Sequence, residues 1–154
     1  MQVLLVAVGK LRPALREVCD DYLRRTNRLL SVAEHEVREA GRLAGRARLE
    51  EEDRRLLARI PDGTPATLLD VGGATWSSEE LAGQVDDWRH AGRDHALIIG
   101  GAAGVGSAVR ERVTARWSLG RITLPHELAR VVVAEQLYRA MSILQGTPYH
   151  RGAT

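Results

Sequence analysis

Residues 95–106 read HALIIGGAAGVG, an apolar run followed by glycines at Gly100, Gly101, Gly104 and Gly106. A short buried strand that breaks into a glycine loop just before a helix is the βα unit of a parallel sheet, and ligands in such sheets sit beyond the strand carboxyl ends. On this stretch alone two readings of the loop stand side by side. The glycines either turn the chain, or they let its backbone approach a ligand with no Cβ in the way.

The type of ligand is narrowed by what the loop lacks. Gly104-Val105-Gly106 begins a dinucleotide fingerprint, but its third position is Val109, where close packing of helix on strand needs Gly or Ala. That fingerprint also belongs on the first strand of its unit, and no GxxxxGK[ST] is present to make a phosphate-binding loop. As a ligand loop it reads against pyrophosphate and suits a flat base with its ribose, and the plain-turn reading stands beside it.

The strand–helix pattern extends in both directions from this unit. QVLLVAV (2–8) is a doubly buried strand closed by Gly9, and Pro13 opens a helix carrying Leu15, Val18, Cys19, Tyr22 and Leu23 on one face. SVAEHEV (31–37) is a second strand, followed by a helix striped with Leu49, Leu56, Leu57 and Ile60. ATLLDV (66–71) is a third, and Ser77 with Glu80 forms a capping box for a helix burying Leu81, Val85 and Trp88. ALIIG (96–100) is the fourth, with a helix from 107 to about 117. RITL (121–124) is expected as a fifth strand stopped by Pro125, with a long helix from about 127 to 144. Strands alternating with helices, without linker or repeat, predict one α/β domain with a mostly parallel sheet of five or six strands and right-handed crossovers.

Composition agrees. A chain of 154 residues, 44% hydrophobic and 27% charged, is the size of one globular domain. No apolar run is long enough to cross a bilayer, and the amino terminus has no signal-peptide pattern, so a cytosolic protein without a membrane span is expected. The lone cysteine, Cys19, fits a reducing compartment and reads as buried filler. His35, His90 and His95 show no ligand spacing with Cys19 or nearby acids, so no metal site is expected. Residues 107–154 hold seven Arg against three Glu, while the first 106 hold fifteen Lys plus Arg against seventeen Asp plus Glu. A positive end suits a polyanion such as RNA.

The last third is unusual for a doubly wound domain. Leu128, Val131, Val132, Val133, Ala134 and Leu137 cover more than one stripe of its helix, which predicts cover on two sides, by its own sheet and by a second subunit.

Here the sequence resembles the RlmH-type ribosomal RNA methyltransferases of the SPOUT superfamily over nearly its whole length. The likeness rests on LLVAVGK, DYLRR, LLDVGG, GRDHALIIGGAAG, WSLGRITLPHELARVVVAEQLYRA and the terminal PYHR. It implies one SPOUT domain over 1–154 with a carboxyl-terminal trefoil knot (about 66–154), S-adenosylmethionine as cofactor, and a homodimer. The implied reaction methylates N3 of the pseudouridine numbered 1915 in helix 69 of 23S ribosomal RNA. By matching positions, cofactor contacts fall on Leu69, Gly100, Gly101, Leu119, Gly120, Arg121, Ile122, Thr123 and Leu124. One departure stands out: relatives commonly show GGPEG where this chain has GGAAG, with Ala102 and Ala103 in place of Pro and Glu. Glu135 is the candidate to replace the missing carboxylate.

The chemistry points to the tail. An imide nitrogen becomes a good nucleophile only as its proton leaves, and histidine's ordinary pKa suits a base near neutral pH, so His150 is the candidate base. Arg151 is the candidate to stabilise the developing anion or grip phosphate, and Tyr149 to stack on a base; the tail either closes over the target, in the partner subunit's pocket, or is a frayed terminus, and the resemblance favours the first. His126 is either a cofactor or RNA contact or a structural cap-region residue. Arg130 and Arg139 are either RNA contacts or solvated helix charges. With no appended RNA-binding module, target choice is expected to depend on ribosomal shape. The alternatives are a SPOUT enzyme acting on another RNA such as tRNA, or an inactive relative that only binds ribosomal RNA; cofactor binding and methyl transfer separate them.

Overall fold

A computed structural model describes residues 1–151; the last three residues of the expected domain and knot region lie outside the described residues. Strands β1 (Val3–Val8), β2 (Val32–Val37), β3 (Ala66–Thr75), β4 (His95–Ile99) and β5 (Ala115–Ser118) alternate with helices α1 (Pro13–Thr26), α2 (Gly45–Leu57), α3 (Ser78–Ala91), α4 (Ser107–Arg112) and α5 (His126–Gln145). A short 3₁₀ turn, Pro148–His150, follows. The five strands form one parallel sheet in the order β2-β1-β4-β3-β5.

Every residue of β1 is buried because the strand is covered on both faces. Val3, Leu5 and Ala7 meet the layer of α1, α3 and α5, while Leu4, Val6 and Val8 meet α2 and α4. The Ser77–Glu80 capping box forms as its sequence dictates, with Glu80 N–H donating to Ser77 Oγ and Ser77 N–H donating to Glu80 Oε2. Cys19 is fully buried in α1, and burial pushes its thiol up to about 12, which leaves it chemically inert.

Two expectations are corrected. The fifth strand is Ala115–Ser118, so the preceding helix stops at Arg112 and RITL (121–124) is irregular. The real strand contributes Trp117 to the core, where it stacks on Trp76 at 5.6 Å between ring centroids. Helix α5, read as needing a second subunit, packs between α1 and α3 in its own subunit. Its Val131, Val133, Ala134, Leu137, Ala140 and Met141 all enter the main core, and Leu128 alone of its large apolar residues stays exposed.

Candidate functional site

Pairing of β3 with β4 ends at Leu68, after which β3 follows β5 through an irregular register between Leu69 and Ala74. The sheet thus parts at its carboxyl edge, between Leu69-Asp70-Val71 on one side and Ile99-Gly100-Gly101 on the other. A cleft of about 760 Å³ opens there, within the range of small-molecule sites, and is closed by Ser118 to Gly120, Ile122 to His126, and Ala129 of α5.

Its floor is the glycine loop. Gly104 N–H donates to Gly101 O at 3.0 Å to close a tight turn, and Gly104 sits at φ +81°, a conformation side chains resist. A Cβ on Gly100 would lie 2.8 Å from Gly104 O, so the turn requires glycine there too. The loop is anchored from beneath by α2. Asp53, 1% exposed, accepts Gly106 N–H at 2.8 Å and Val109 N–H at 3.0 Å, doing for α4 what its own N-cap glycine cannot. Glu52, equally buried, accepts Ala40 N–H, and its other oxygen lies 3.4 Å from where a Gly101 Cβ would be. Both acids sit in the charged run LEEEDRR (49–55), which resembles a solvated face. The signal that could have found Asp53 is its place between Leu49 and Leu56 on the apolar stripe.

Of the positions the resemblance assigned to a cofactor, Leu69, Gly100, Gly101, Leu119, Gly120, Ile122, Thr123 and Leu124 line the cleft together, and Arg121 is exposed and outside the lining. His126, the first residue of α5, is also in the lining. Aliphatic side chains and bare backbone make most of the wall. The loop positions Ala102 and Ala103 are exposed. Glu135 lies outside the cleft of its own subunit, engaged by Arg139 Nη2 at 2.6 Å, Gln136 Nε2 at 2.7 Å and the Tyr149 hydroxyl at 3.1 Å.

The carboxylate that the cleft does hold is Asp70, which sequence reading passed over. It is bridged to Arg110 Nη1 at 3.1 Å and Arg116 Nη1 at 3.3 Å. Burial alone would raise its pKa, but the two guanidiniums and Gly72 N–H outweigh burial and hold it below the usual carboxylate range.

Arg130 belongs to a different structure from the one expected of an RNA contact. It is 1% exposed, donating to Gly9 O at 2.8 Å, Glu34 Oε2 at 3.1 Å and Glu36, and Arg16 grips the same two glutamates from α1. A side chain enclosed by these acceptors has no face to offer a phosphate. The cluster ties α5 to β1, β2 and α1 immediately after the turn that lines the cleft.

The tail residues gather at the other end of α5. The Tyr149 ring packs edge-on against Tyr138 at 4.6 Å and beneath the Arg139 guanidinium at 5.1 Å, and its hydroxyl meets Tyr22 at 3.3 Å. Burial and these contacts raise the Tyr149 pKa, so the phenol stays protonated. His150 Nδ1 lies 3.3 Å from Ser142 Oγ, and Arg151 is exposed. A helix of 20 residues is about 30 Å long, so within one subunit the tail and the cleft are at opposite ends of α5.

A parallel α/β domain whose sheet parts at its carboxyl edge over a glycine loop, with a cleft at that parting, belongs to the class of open α/β proteins that bind a small molecule beyond the strand carboxyl ends. The family follows from comparison with known proteins. The model of the family described as predicted SPOUT methyltransferase matches residues 1–150, and the chain belongs to that family. It is 48% identical over 151 residues to the ribosomal RNA large subunit methyltransferase H of Rubrobacter xylanophilus, spanning 95% of this chain and 96% of that one. The protein of the same name from Gloeobacter violaceus is 45% identical over 155 residues, spanning 99% and 100%. Among solved structures, a probable methyltransferase from Bordetella pertussis has the same fold, with a TM-score of 0.56 at 16% identity, over 90% of this chain and 95% of that one.

Proposed function

We propose that the chain transfers a methyl group from S-adenosylmethionine to N3 of a pseudouridine in 23S ribosomal RNA, acting in the cytoplasm as a homodimer on the large subunit or assembled ribosome. One observation carries the reading: eight positions, assigned to the cofactor by sequence resemblance, converge on a single cleft at the parting of the sheet. The names of relatives matched end to end support the same RNA as target. The knotted passage that the resemblance places at about 66–154 belongs to this reading, since it would fix the 119–124 wall against the glycine loop.

When bound, the donor supplies a sulfonium methyl group that a nitrogen nucleophile can take. Backbone at Gly100, Gly101 and Gly120, with Leu69, Leu119 and Leu124, would hold the adenosine. His150 accepts the N3 proton through Nε2 while Ser142 holds Nδ1, and Arg151 stabilises the imide anion left behind. Bound there, the donor would supply the methyl group and keep the S–C electron pair as a neutral thioether.

Because the tail lies about 30 Å along α5 from its own cleft, it serves the cleft of a second copy. Val71 and Ile122, 83% and 73% exposed at the cleft mouth, give that copy an apolar rim to cover. This rim, rather than the circumference of α5, is the argument for a dimer.

The test has two arms. At 100 times its dissociation constant, S-adenosylmethionine should stabilise the fold by about 2.7 kcal/mol, visible as a raised melting temperature. Ribosomes carrying unmethylated pseudouridine should then take label from the methyl-labelled donor. Absence of the thermal shift overturns the cofactor, label on tRNA moves the activity to another RNA, and binding without transfer to any RNA identifies an inactive relative.

A further inference from the structure

Asp70 and Arg110 are the only carboxylate and the only guanidinium among the described residues lining the cleft, and they face each other at 3.1 Å. Around them the lining is mostly aliphatic or bare backbone, with the Ser118 and Thr123 hydroxyls and the His126 ring as its other polar side chains, so the cleft has one corner that pairs a carboxylate with a guanidinium. Arg116, outside the lining, holds the same Asp70 oxygen at 3.3 Å. That second guanidinium matters. Arg110 can turn from Asp70 to a ligand anion while the carboxylate keeps a cationic partner, so the corner can open without stranding a charge in a site where Asp70 is only 10% exposed.

A paired anion and cation side by side complement a ligand that carries the opposite pair at the same spacing. Within the reading of the cleft as a methyl-donor site, on which this rests, the adenosine has no charge to satisfy such a corner and the α-amino acid end has one of each sign. We propose that Arg110 and Asp70 form the subsite for the amino-acid end of the donor, Arg110 taking the α-carboxylate and Asp70 the α-ammonium. The corner also fixes direction: with the amino-acid end held beside β3 and α4, the adenosine runs toward the glycine loop and the 119–124 wall. The sulfonium then lies between them.

Calorimetric binding of two nucleosides tests the assignment without any turnover. S-adenosylhomocysteine carries the amino-acid end and 5′-methylthioadenosine lacks it, so the second reports whether the rest of the cleft is intact in each variant. Arg110→Ala and Asp70→Asn should each weaken S-adenosylhomocysteine about tenfold or more, the scale of a lost charge-assisted hydrogen bond, and leave 5′-methylthioadenosine within about twofold of wild type. Equal weakening of both ligands would assign the pair to shaping the cleft, and unchanged binding of both would remove it from the site; either overturns the proposal. Wild-type protein that binds neither nucleoside would overturn the methyl-donor reading, and this assignment with it.

Discussion

Arg130 Nη2 donates to the carbonyl of Gly9 across 2.8 Å, joining residues 121 apart in sequence and fastening the cleft end of α5 to the carboxyl end of β1. The guanidinium is enclosed with Glu34, Glu36 and Arg16, and its Nε has no partner among the described residues. Removing one member of such a buried cluster leaves the rest with uncompensated charge, so Arg130→Ala should lower unfolding free energy by about 3 kcal/mol in urea titration. A phosphate contact would behave differently. Its loss would reduce the salt slope of RNA binding by about one unit, and for Arg130 that slope should not change.

Asp53 supplies two acceptors to the loop and helix that carry the cleft floor. Replacing it with Ala strands the Gly106 and Val109 N–H groups, Val109 being fully buried, at a cost of about 3 kcal/mol; Asn keeps one acceptor and should cost about half that. Amide hydrogen exchange should report the change locally, with Gly106 and Val109 losing protection in Asp53→Ala while the β1 amides retain theirs.

How much of this was legible follows from what each residue is buried against. The four strands β1 to β4 were readable because each is an apolar or alternating run bounded by turn residues. β5 was not: it is four residues long and offers Ala115, Arg116, Trp117 and Ser118, of which Trp117 alone is a large apolar residue in the core. RITL drew the assignment because it is apolar and β-branched, but Ile122 is exposed at the cleft and Thr123 and Leu124 line it, so its character suits a ligand wall and not a sheet. The all-round apolar surface of α5 is legible, but sequence does not reveal that α1 and α3 of the same subunit cover most of it. The cleft positions came from resemblance. Asp70, Arg110 and Asp53 escaped notice because a charged residue looks the same in sequence whether it meets water, a partner or a buried amide.

His95 provides a pH dependence of stability that has nothing to do with the cleft. It opens β4, at the end of the strand away from the glycine loop, lying 3.9 Å from the Trp88 ring with Nε2 2.8 Å from Thr67 Oγ1. Burial pushes its pKa from 6.5 down to about 4. The unfolded chain therefore binds the proton more readily, and stability is complete above pH 6.5 and lost as pH falls toward 4, by about 3 kcal/mol for this group. Thermal melts across that window should show the loss, and His95→Gln, which has no proton to gain, should flatten it. A His95 imidazole that titrates by NMR above pH 6 in the native protein would contradict the mechanism.

The position of the tail makes the sharpest prediction for the proposed activity. His150→Ala and Arg151→Ala should each reduce turnover far more than affinity for the donor, because neither side chain is in the cleft of its own subunit. If the tail acts on a second copy, two inactive variants should rescue each other. Ala102→Trp places an indole on an exposed loop residue of the cleft and should abolish donor binding with little effect on melting temperature. His150→Ala leaves the cleft intact and removes the base. Mixed after gentle dissociation, these two give a dimer in which the open cleft of one subunit meets the intact tail of the other, and activity returns. Service within one subunit would leave every site in that mixture with either a blocked cleft or a missing base, and the mixture would stay inactive.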